Sequence, residues 1–454
     1  MFHPPRPLLP WLLAPAIAAS GACAGTTFHA QGDVSEQIRT VVEVSWEPLG
    51  GGQAWVEFGP STAYGQITPP VQDGPGRSRA LLLGNKPFRD VHWRVVAELD
   101  GHITTGPDHI TTTDGVAAAL PDFTLDQSDG SFEGWVLSIS WAEVAYVTII
   151  DADADLVWYS ALPVGSVSLA ADPVPGQAAL RFLQVGVDHA LDRSEVITQG
   201  MDGQQLDSVA VEQGHHSFVA HDDGDLAWLA IDVQEHKDYG DLVGDRVLQY
   251  DAASGETSQL YSVWDHLEYD PDNTLDTNFY PQGTDWTHTN TISYAPERDS
   301  YWLTMGGVNS IVEVDAITGE PLTVVGTDGY LIAPDPDDFG AGFGPHAASW
   351  TKDDTLLLFD NNDSGRGEPS RVVEFALDDQ AQVATEVWRH TGDHGMTAMV
   401  LGGADRLDDG STFIHWGNTG YLQLVDAQGE LRWSVRQGSI VADATVLTDL
   451  YGRD

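Results

Sequence analysis

Val, Thr, Trp and Tyr are spread along all 454 residues, Gly and Asp punctuate them at short intervals, and no long stretch keeps a helical period. That pattern predicts an all-β protein with few helices. From about Leu120 onward a strand, an acidic or glycine turn, a second strand and an Asp-x-x-Gly hairpin recur six times, which predicts a six-bladed β-propeller. A shorter, differently patterned segment ahead of it predicts a small β-sandwich, and the length allows one large domain plus a smaller one.

At the N-terminus, Arg6 precedes the apolar stretch Leu8 to Ala19, and Ser20-Gly21-Ala22-Cys23 supplies the small residues expected before a cleavage site. Residues 1–23 therefore read as an export signal, too short to span a bilayer as a mature helix. Cys23 is the only cysteine, so no internal disulfide forms. Its placement resembles a bacterial lipoprotein signal, in which the cysteine becomes the lipidated first residue, although Ser20 stands where that motif usually carries an aliphatic residue. An ordinary cleaved signal is the alternative. Either reading expects an exported protein, periplasmic or at the outer surface of a bacterium, touching the membrane only through a lipid on Cys23.

Residues 26–115 read as short strands at Val41 to Trp46, Ala54 to Gly59, Arg79 to Leu83, Val91 to Leu99 and His109 to Thr113. Turns such as Gly50-Gly51-Gly52 and Asp73-Gly74-Pro75-Gly76 separate them, as in an antiparallel sandwich. Trp55 through Gly65, followed by His92-Trp93-Arg94-Val95-Val96, resembles the fibronectin type III-like modules that precede bacterial extracellular enzymes. Catalytic constellations are lacking here.

The propeller units run over 120–165, 166–214, 215–283, 284–342, 343–397 and 398–454. Their hairpins Tyr250 to Glu256, Val314 to Glu320 and Val425 to Glu430 share an Asp that can accept from turn amides and a Gly that can take positive φ, so these acids read as structural.

The formal net charge is −49, and Lys86, Lys237 and Lys352 are the only lysines, which makes nucleic acid a poor partner. The acids are dispersed among turns, the mark of a solvated surface. Asp151-Ala152-Asp153-Ala154-Asp155 and Asp335-Pro336-Asp337-Asp338 space carboxylates like calcium ligands but lack the complete loop pattern.

His216, His288 and His346 each precede a strand in the third, fourth and fifth units, so a propeller would bring them to one central channel. His216 precedes Gly224, and His346 precedes Asp354, by the same eight residues, which predicts equivalent places on neighbouring blades. A histidine on a strand is more often a half-buried hydrogen-bonding residue than a catalyst, and three in register shift those odds. Three converging imidazoles could instead hold Zn²⁺ or Cu²⁺. A third class is a recognition platform, with Trp286, Trp350 and Trp416 lining an aromatic pocket. His221, His390, His394 and His415 show no matched spacing and read as turn, surface or channel-wall residues.

From His215 to the end the residues resemble bacterial arylsulfotransferases: Asp285-Trp286-Thr287-His288-Thr289-Asn290, Phe343-Gly344-Pro345-His346-Ala347-Ala348, Leu356 to Asn362, Ser370 to Glu374 and Gly410 to Gly417 carry the likeness. The resemblance implies a six-bladed propeller behind a small β-sandwich and transfer of a sulfuryl group from one phenol to another, without a nucleotide donor, cofactor or metal. Small phenolic donors and acceptors are the implied partners. Residue by residue it implies His346 as the nucleophile, His288 and Asn290 as ligands of sulfuryl oxygens, and His216, with His215 beside it, completing the cluster. The family's arginine on the returning strand is missing, and Gly306 stands at about its place. Losing one such donor costs on the order of 10²- to 10³-fold in rate. Either Arg366 or Arg406 supplies the charge from another blade, or the enzyme accepts a different ester, or the site no longer catalyses sulfuryl transfer, whereas Arg371, in a strand-like Val-Val-Glu context, reads as structural.

Overall fold

The structure, a computed structural model, describes residues 28–117, 119–186, 193–272, 274, 279–326, 331–333, 344–361, 369–392 and 396–453. The candidate signal with Cys23, the Asp335–Asp338 run, Arg366 and His394 lie outside them. Among the described residues there are strands, turns and short 3-10 segments, and no α-helix.

The N-terminal part is two facing sheets. One is Gln31–Val34, Val42–Trp46 and Ser78–Leu82; the other is built on the antiparallel pair Gln53–Gly59 and Asp90–Leu99, with four short strands at its edges. The apolar alternation of Val42, Val44 and Trp46 faces Val56, Phe58, Trp93 and Val95 across the interior, as a period of two requires. The five strands expected from sequence recur with ends shifted by at most one residue.

The remaining described residues form six sheets, antiparallel except where Thr284–Asp285 and Leu331–Ala333 add short parallel pairs. Four are consecutive in sequence and begin at Ser166–Pro173, Gly214–Ala220, Thr289–Ala295 and Pro345–Trp350. The last two mix the chain's ends. Gly403–Arg406, Thr412–His415, Tyr421–Val425 and Leu431–Gln437 are completed by Phe123–Ser128, while Ile440–Leu447 leads a sheet continued by Trp135–Trp141, Ala145–Asp151 and Leu156–Ala161. The first and last sequence units thus exchange strands instead of forming one sheet each, which pairs edges that would otherwise be open. The six leading strands contact one another in a cycle: each touches the next in chain order, and Ile440–Leu447 touches both Gly403–Arg406 and Ser166–Pro173.

Apolar clusters fill the spaces between adjacent sheets. Trp302, Ile311 and Val325 of one sheet, for example, pack on Leu356, Leu358 and Phe375 of the next. The hairpin acids act as expected: Asp315 Oδ1 accepts from the amides of Ile317 (3.0 Å) and Thr318 (2.7 Å), and Gly319 closes the turn at φ 74°. The backbone amides hold the Asp315 carboxyl below its ordinary range.

The sandwich is docked rather than tethered. Ile38, Val41 and Leu83 share a core with Leu162, Ile197 and Tyr451, Thr40 Oγ1 donates to Val157 O (2.6 Å), and Tyr451 Oη donates to Leu81 O (2.8 Å). Lys86 Nζ enters the Asp151-Asp153-Asp155 loop, at 3.1, 2.7 and 2.7 Å from the three carboxylates. The run considered for calcium is therefore a cage for an ammonium ion. Burial alone would lower the Lys86 pKa; the three acids reverse that and raise it well above its ordinary value.

Lys86→Met is expected to leave three mutually repelling carboxylates and to lower stability by on the order of 1 kcal/mol. The denaturant midpoint checks this, and the loss should shrink in high salt; a midpoint equal to wild type would show that the cage contributes nothing.

Candidate functional site

Five of the six leading strands carry a bulge at the same level. Register shifts fall between Ser168 and Ala171, His215 and Phe218, Thr289 and Thr291, His346 and Ser349, and opposite Ala442, where Ser140 pairs Val441 and Ile139 pairs Asp443. A bulge places an extra residue on one strand and re-aims its side chains. His216 (φ 52°) and Ala347 (φ 47°) sit in the bulges in the left-handed region, and His288 (φ 43°) adopts it just ahead of its strand. The result is a central cavity of about 60 Å³ lined from all six sheets, among others by Ala170, His216, Asn290, His346, His415 and Asp443.

His216 and His346 keep the same count to their turns but are not on neighbouring sheets, because Thr289–Ala295 lies between their strands. Their ladders also differ. The bulge begins one residue later in the second strand, so His346, which pairs Phe359, takes the ladder position that His215, which pairs Leu229, takes in the first.

His346 lies deep in the cavity, its Nδ1 buried without a hydrogen-bond partner among the described residues. Burial, opposed by the Gly402 backbone and reinforced by nearby His288, lowers its pKa to about 4, so the ring is neutral at pH 7. His288 is the opposite case. Its Nδ1 lies 2.5 Å from Asp285 Oδ2, and its backbone amide donates to Asp285 Oδ1 at 3.2 Å. Burial pulls its pKa down, but Asp285 first and Asp245 further off raise it above the ordinary value. Asp285 thus favours the cationic form of His288.

The other two histidines buttress it. His216 packs edge-on to His288 with centroids 5.1 Å apart, and its Nδ1 lies 3.2 Å from the Tyr280 hydroxyl and 2.9 Å from His215 Nδ1. His215 is buried behind it, with Nε2 3.1 Å from Asp245 Oδ1. Asp245 Oδ2 accepts from Thr287 Oγ1 (2.6 Å) and the Thr289 amide (2.7 Å). Burial alone would raise the Asp245 pKa, and His215 with these donors lowers it below the ordinary range. Half-exposed Phe279 covers the His216–His288 pair, at 5.4 and 5.2 Å between centroids.

Asn290 is buried; one N–H donates to Pro345 O (3.0 Å) and its Oδ1 accepts from Thr291 Oγ1 (3.1 Å), which leaves one N–H for a ligand. Gly306 lies alongside. A Cβ there would meet Asn290 Nδ2 at 3.2 Å and His288 O at 3.7 Å, and its φ is one that other residues adopt. A side chain at this position would emerge against the cluster.

Other expected residues are placed elsewhere. The Arg406 guanidinium bonds Glu374 and Thr412 Oγ1, stacks over Trp388 at 4.5 Å, and does not line the cavity. Arg371 pairs Asp360 at 2.8 Å in the core, a structural role. Trp286 and Trp416 are fully buried and Trp350 stacks on Trp302 (5.2 Å), so none of the three lines the cavity. Among the described residues, the one group of three or more His, Cys, Asp or Glu ligand atoms within 4.8 Å of one another is the Lys86 cage, not the histidines.

Sequence reasoning gave no role to Asp245, Asp285, Tyr280 and Asp443, and read His415 only as a turn, surface or channel-wall residue; it lines the cavity. Only Asp285 carried a local signal, its spacing of three residues to His288.

The arylsulfotransferase (ASST) family profile matches residues 124–424. No curated protein matches the sequence. Similar solved structures include a Bacteroides caccae protein of unknown function (13% identity, 70% of this chain and 100% of that one, TM-score 0.43) and Kuenenia stuttgartiensis hydrazine synthase (10%, 68% and 94%, 0.39). A streptogramin B lyase is also similar (11%, 70% and 88%, 0.38). Likenesses this slight carry no argument about chemistry. The family match spans most of the chain and contains the whole histidine cluster: this chain belongs to the arylsulfotransferase (ASST) family.

Proposed function

We propose that the protein is an exported arylsulfotransferase that moves a sulfuryl group between phenolic compounds through a covalent intermediate on His346. In this reading the six sheets are the blades of a closed propeller, the N-terminal sandwich is a fibronectin type III-like module, and residues 1–23 direct export with Cys23 as the lipidated residue. The observation that carries the chemistry is the division of charge at the site, where a neutral imidazole whose Nδ1 lacks a partner among the described residues lies near a second imidazole whose cationic form Asp285 favours. A nucleophile must have a free lone pair, and sulfuryl oxygens gaining charge need a fixed donor.

The donor ester's sulfur is attacked by a neutral nitrogen of His346; the N–S bond forms, the S–O bond to the aryl group breaks, and the phenolate leaves. The acceptor phenol then takes the sulfuryl group from His346 in the reverse sense, giving ping-pong kinetics. His288, held cationic by Asp285, and the remaining N–H of Asn290 stabilise the sulfuryl oxygens. An altered or inactive family member that binds aromatic ligands is the second reading, favoured by one observation: Gly306 leaves the cluster without the family's arginine.

Incubation with 4-nitrophenyl sulfate is expected to release nitrophenolate and to leave one sulfuryl group on His346, seen by peptide mass, with neither event in His346→Ala. If wild type releases no more nitrophenol than the mutant across a panel of aryl sulfates, the binding reading stands instead. Gly306→Arg is expected to raise the sulfation rate by on the order of 10²- to 10³-fold, since the added donor enters beside Asn290; an unchanged or lower rate would mean that this position does not face the sulfuryl group. The pH profile should be bell-shaped. Activity falls on the acid side as His346 protonates near pH 4, and on the alkaline side as His288 loses its proton above the ordinary histidine value. Asp285→Asn should move the alkaline limb to lower pH, and an unmoved limb would contradict the role given to His288.

A further inference from the structure

His415 is not on a leading strand. It ends the second strand of its sheet, Thr412–His415, opposite Gly403 on the leading strand. Side chains from a second strand ordinarily stop behind the first. Here the imidazole passes over Gly403: a Cβ at that position would lie 2.5 Å from His415 Nε2. The missing side chain is a window through which His415 reaches the cavity that holds His346.

His415 is 4% exposed, and its Nδ1 is buried without a partner among the described residues. Its Nε2 lies 3.8 Å from Asp443 Oδ1, a gap that one water or a small ring rotation spans. A buried nitrogen left unsatisfied beside a reactive cavity is costly unless a ligand completes it. Sulfuryl transfer between phenols has a matching need: the departing aryl oxygen must gain a proton and the arriving phenol must lose one, and His288 is already committed to Asp285.

Resting on the transferase reading above, we infer that His415 is a further catalytic residue, which relays a proton between Asp443 and the phenolic oxygen in both half-reactions. When the S–O bond breaks, its electron pair stays on the aryl oxygen, which takes the proton from His415 Nδ1 while Nε2 is refilled from Asp443. In the second half the acceptor O–H gives its proton to Nδ1, Nε2 returns one to Asp443, the O–S bond forms, and the N–S pair reverts to His346. The cycle closes with no outside acid or base.

The surroundings suit this exchange. Asp443, from Ile440–Leu447, faces Asp172 of Ser166–Pro173, Asp405 of Gly403–Arg406 and His415, with Arg181 beyond Asp172 and His346 beyond His415. Burial first, then Asp172 and Asp405, push the Asp443 carboxyl up to about 7, so it holds a transferable proton near neutrality. Burial, with His346 adding to it, lowers His415 to about 3, so the ring passes a proton on and does not store it.

The test compares donors that differ in need for an acid. 4-Nitrophenolate departs unprotonated, whereas the phenolate of phenyl sulfate needs a proton. His415→Gln is expected to lose on the order of 10²- to 10⁴-fold more rate with phenyl sulfate than with 4-nitrophenyl sulfate, the usual span of general acid catalysis. Equal losses with both donors, or none, would overturn the relay. Should His415→Gln melt early, Gly403→Ala keeps the imidazole and displaces it, and must show the same donor dependence. Asp443→Asn tests the positioning partner: both donors share the His288 limb, so in wild type the ratio of the phenyl sulfate rate to the 4-nitrophenyl sulfate rate should fall as pH rises through about 7. The same fall in that ratio in Asp443→Asn would count against the relay. Failure of wild type to sulfate His346 from 4-nitrophenyl sulfate would instead sink the transferase reading itself, a result that no defect at His415 alone produces.

Discussion

Imidazoles crowded into one buried space cannot all be protonated, because each charge added raises the cost of the next and burial penalises every one. The site depends on how that constraint is resolved. His288 is given a close carboxylate, Asp285, which favours its charged form. Burial and nearby His288 keep His346 neutral, and burial and His346 keep His415 neutral. His215 and Asp245 complete a rear layer that holds His216 against Tyr280. The roles proposed for them, oxygen ligand, nucleophile and carrier of protons, rest on three different sets of neighbours around the same side chain.

The backbone supplies the geometry for this division. A regular ladder would send alternate side chains to opposite faces of each sheet, into the clusters between sheets. Bulges at matching levels on five leading strands turn selected residues inward, and the cycle of strand contacts brings those levels together. The mutual pairing of the chain's ends, through Phe123–Ser128 with Leu431–Gln437 and Ile440–Leu447 with Trp135–Trp141, leaves no gap where Asp443 must stand beside Asp172 and Asp405. The cavity is therefore built from all six sheets.

Much of this was legible in the sequence. Alternating apolar residues marked the sandwich strands, and Asp-x-x-Gly hairpins marked the sheets, since both are local signals set by pleat and turn. The histidines His216, His288 and His346 were legible because each begins a unit. What lay hidden was non-local. The strand exchange between first and last units depends on ring closure, and the one-residue offset between His216 and His346 depends on where each bulge falls. Arg406 looked available until Glu374, Thr412 and Trp388 claimed it from other strands. His415 was set aside for want of matched spacing, because its access comes from a glycine on the paired strand. The Asp151–Asp155 loop read in sequence as an acidic solvated loop that lacks the complete calcium pattern, and the structure places Lys86, more than sixty positions upstream, among its carboxylates.

The central claim is a statement about protons, so the most direct test is a titration of the imidazoles by ¹⁵N NMR, with His288, His346 and His415 assigned by single substitution. The account predicts a His346 ring that stays neutral until the pH falls to about 4, and a His288 ring still protonated above the ordinary histidine value. Finding His346 cationic at pH 6, or His288 neutral there, would contradict it.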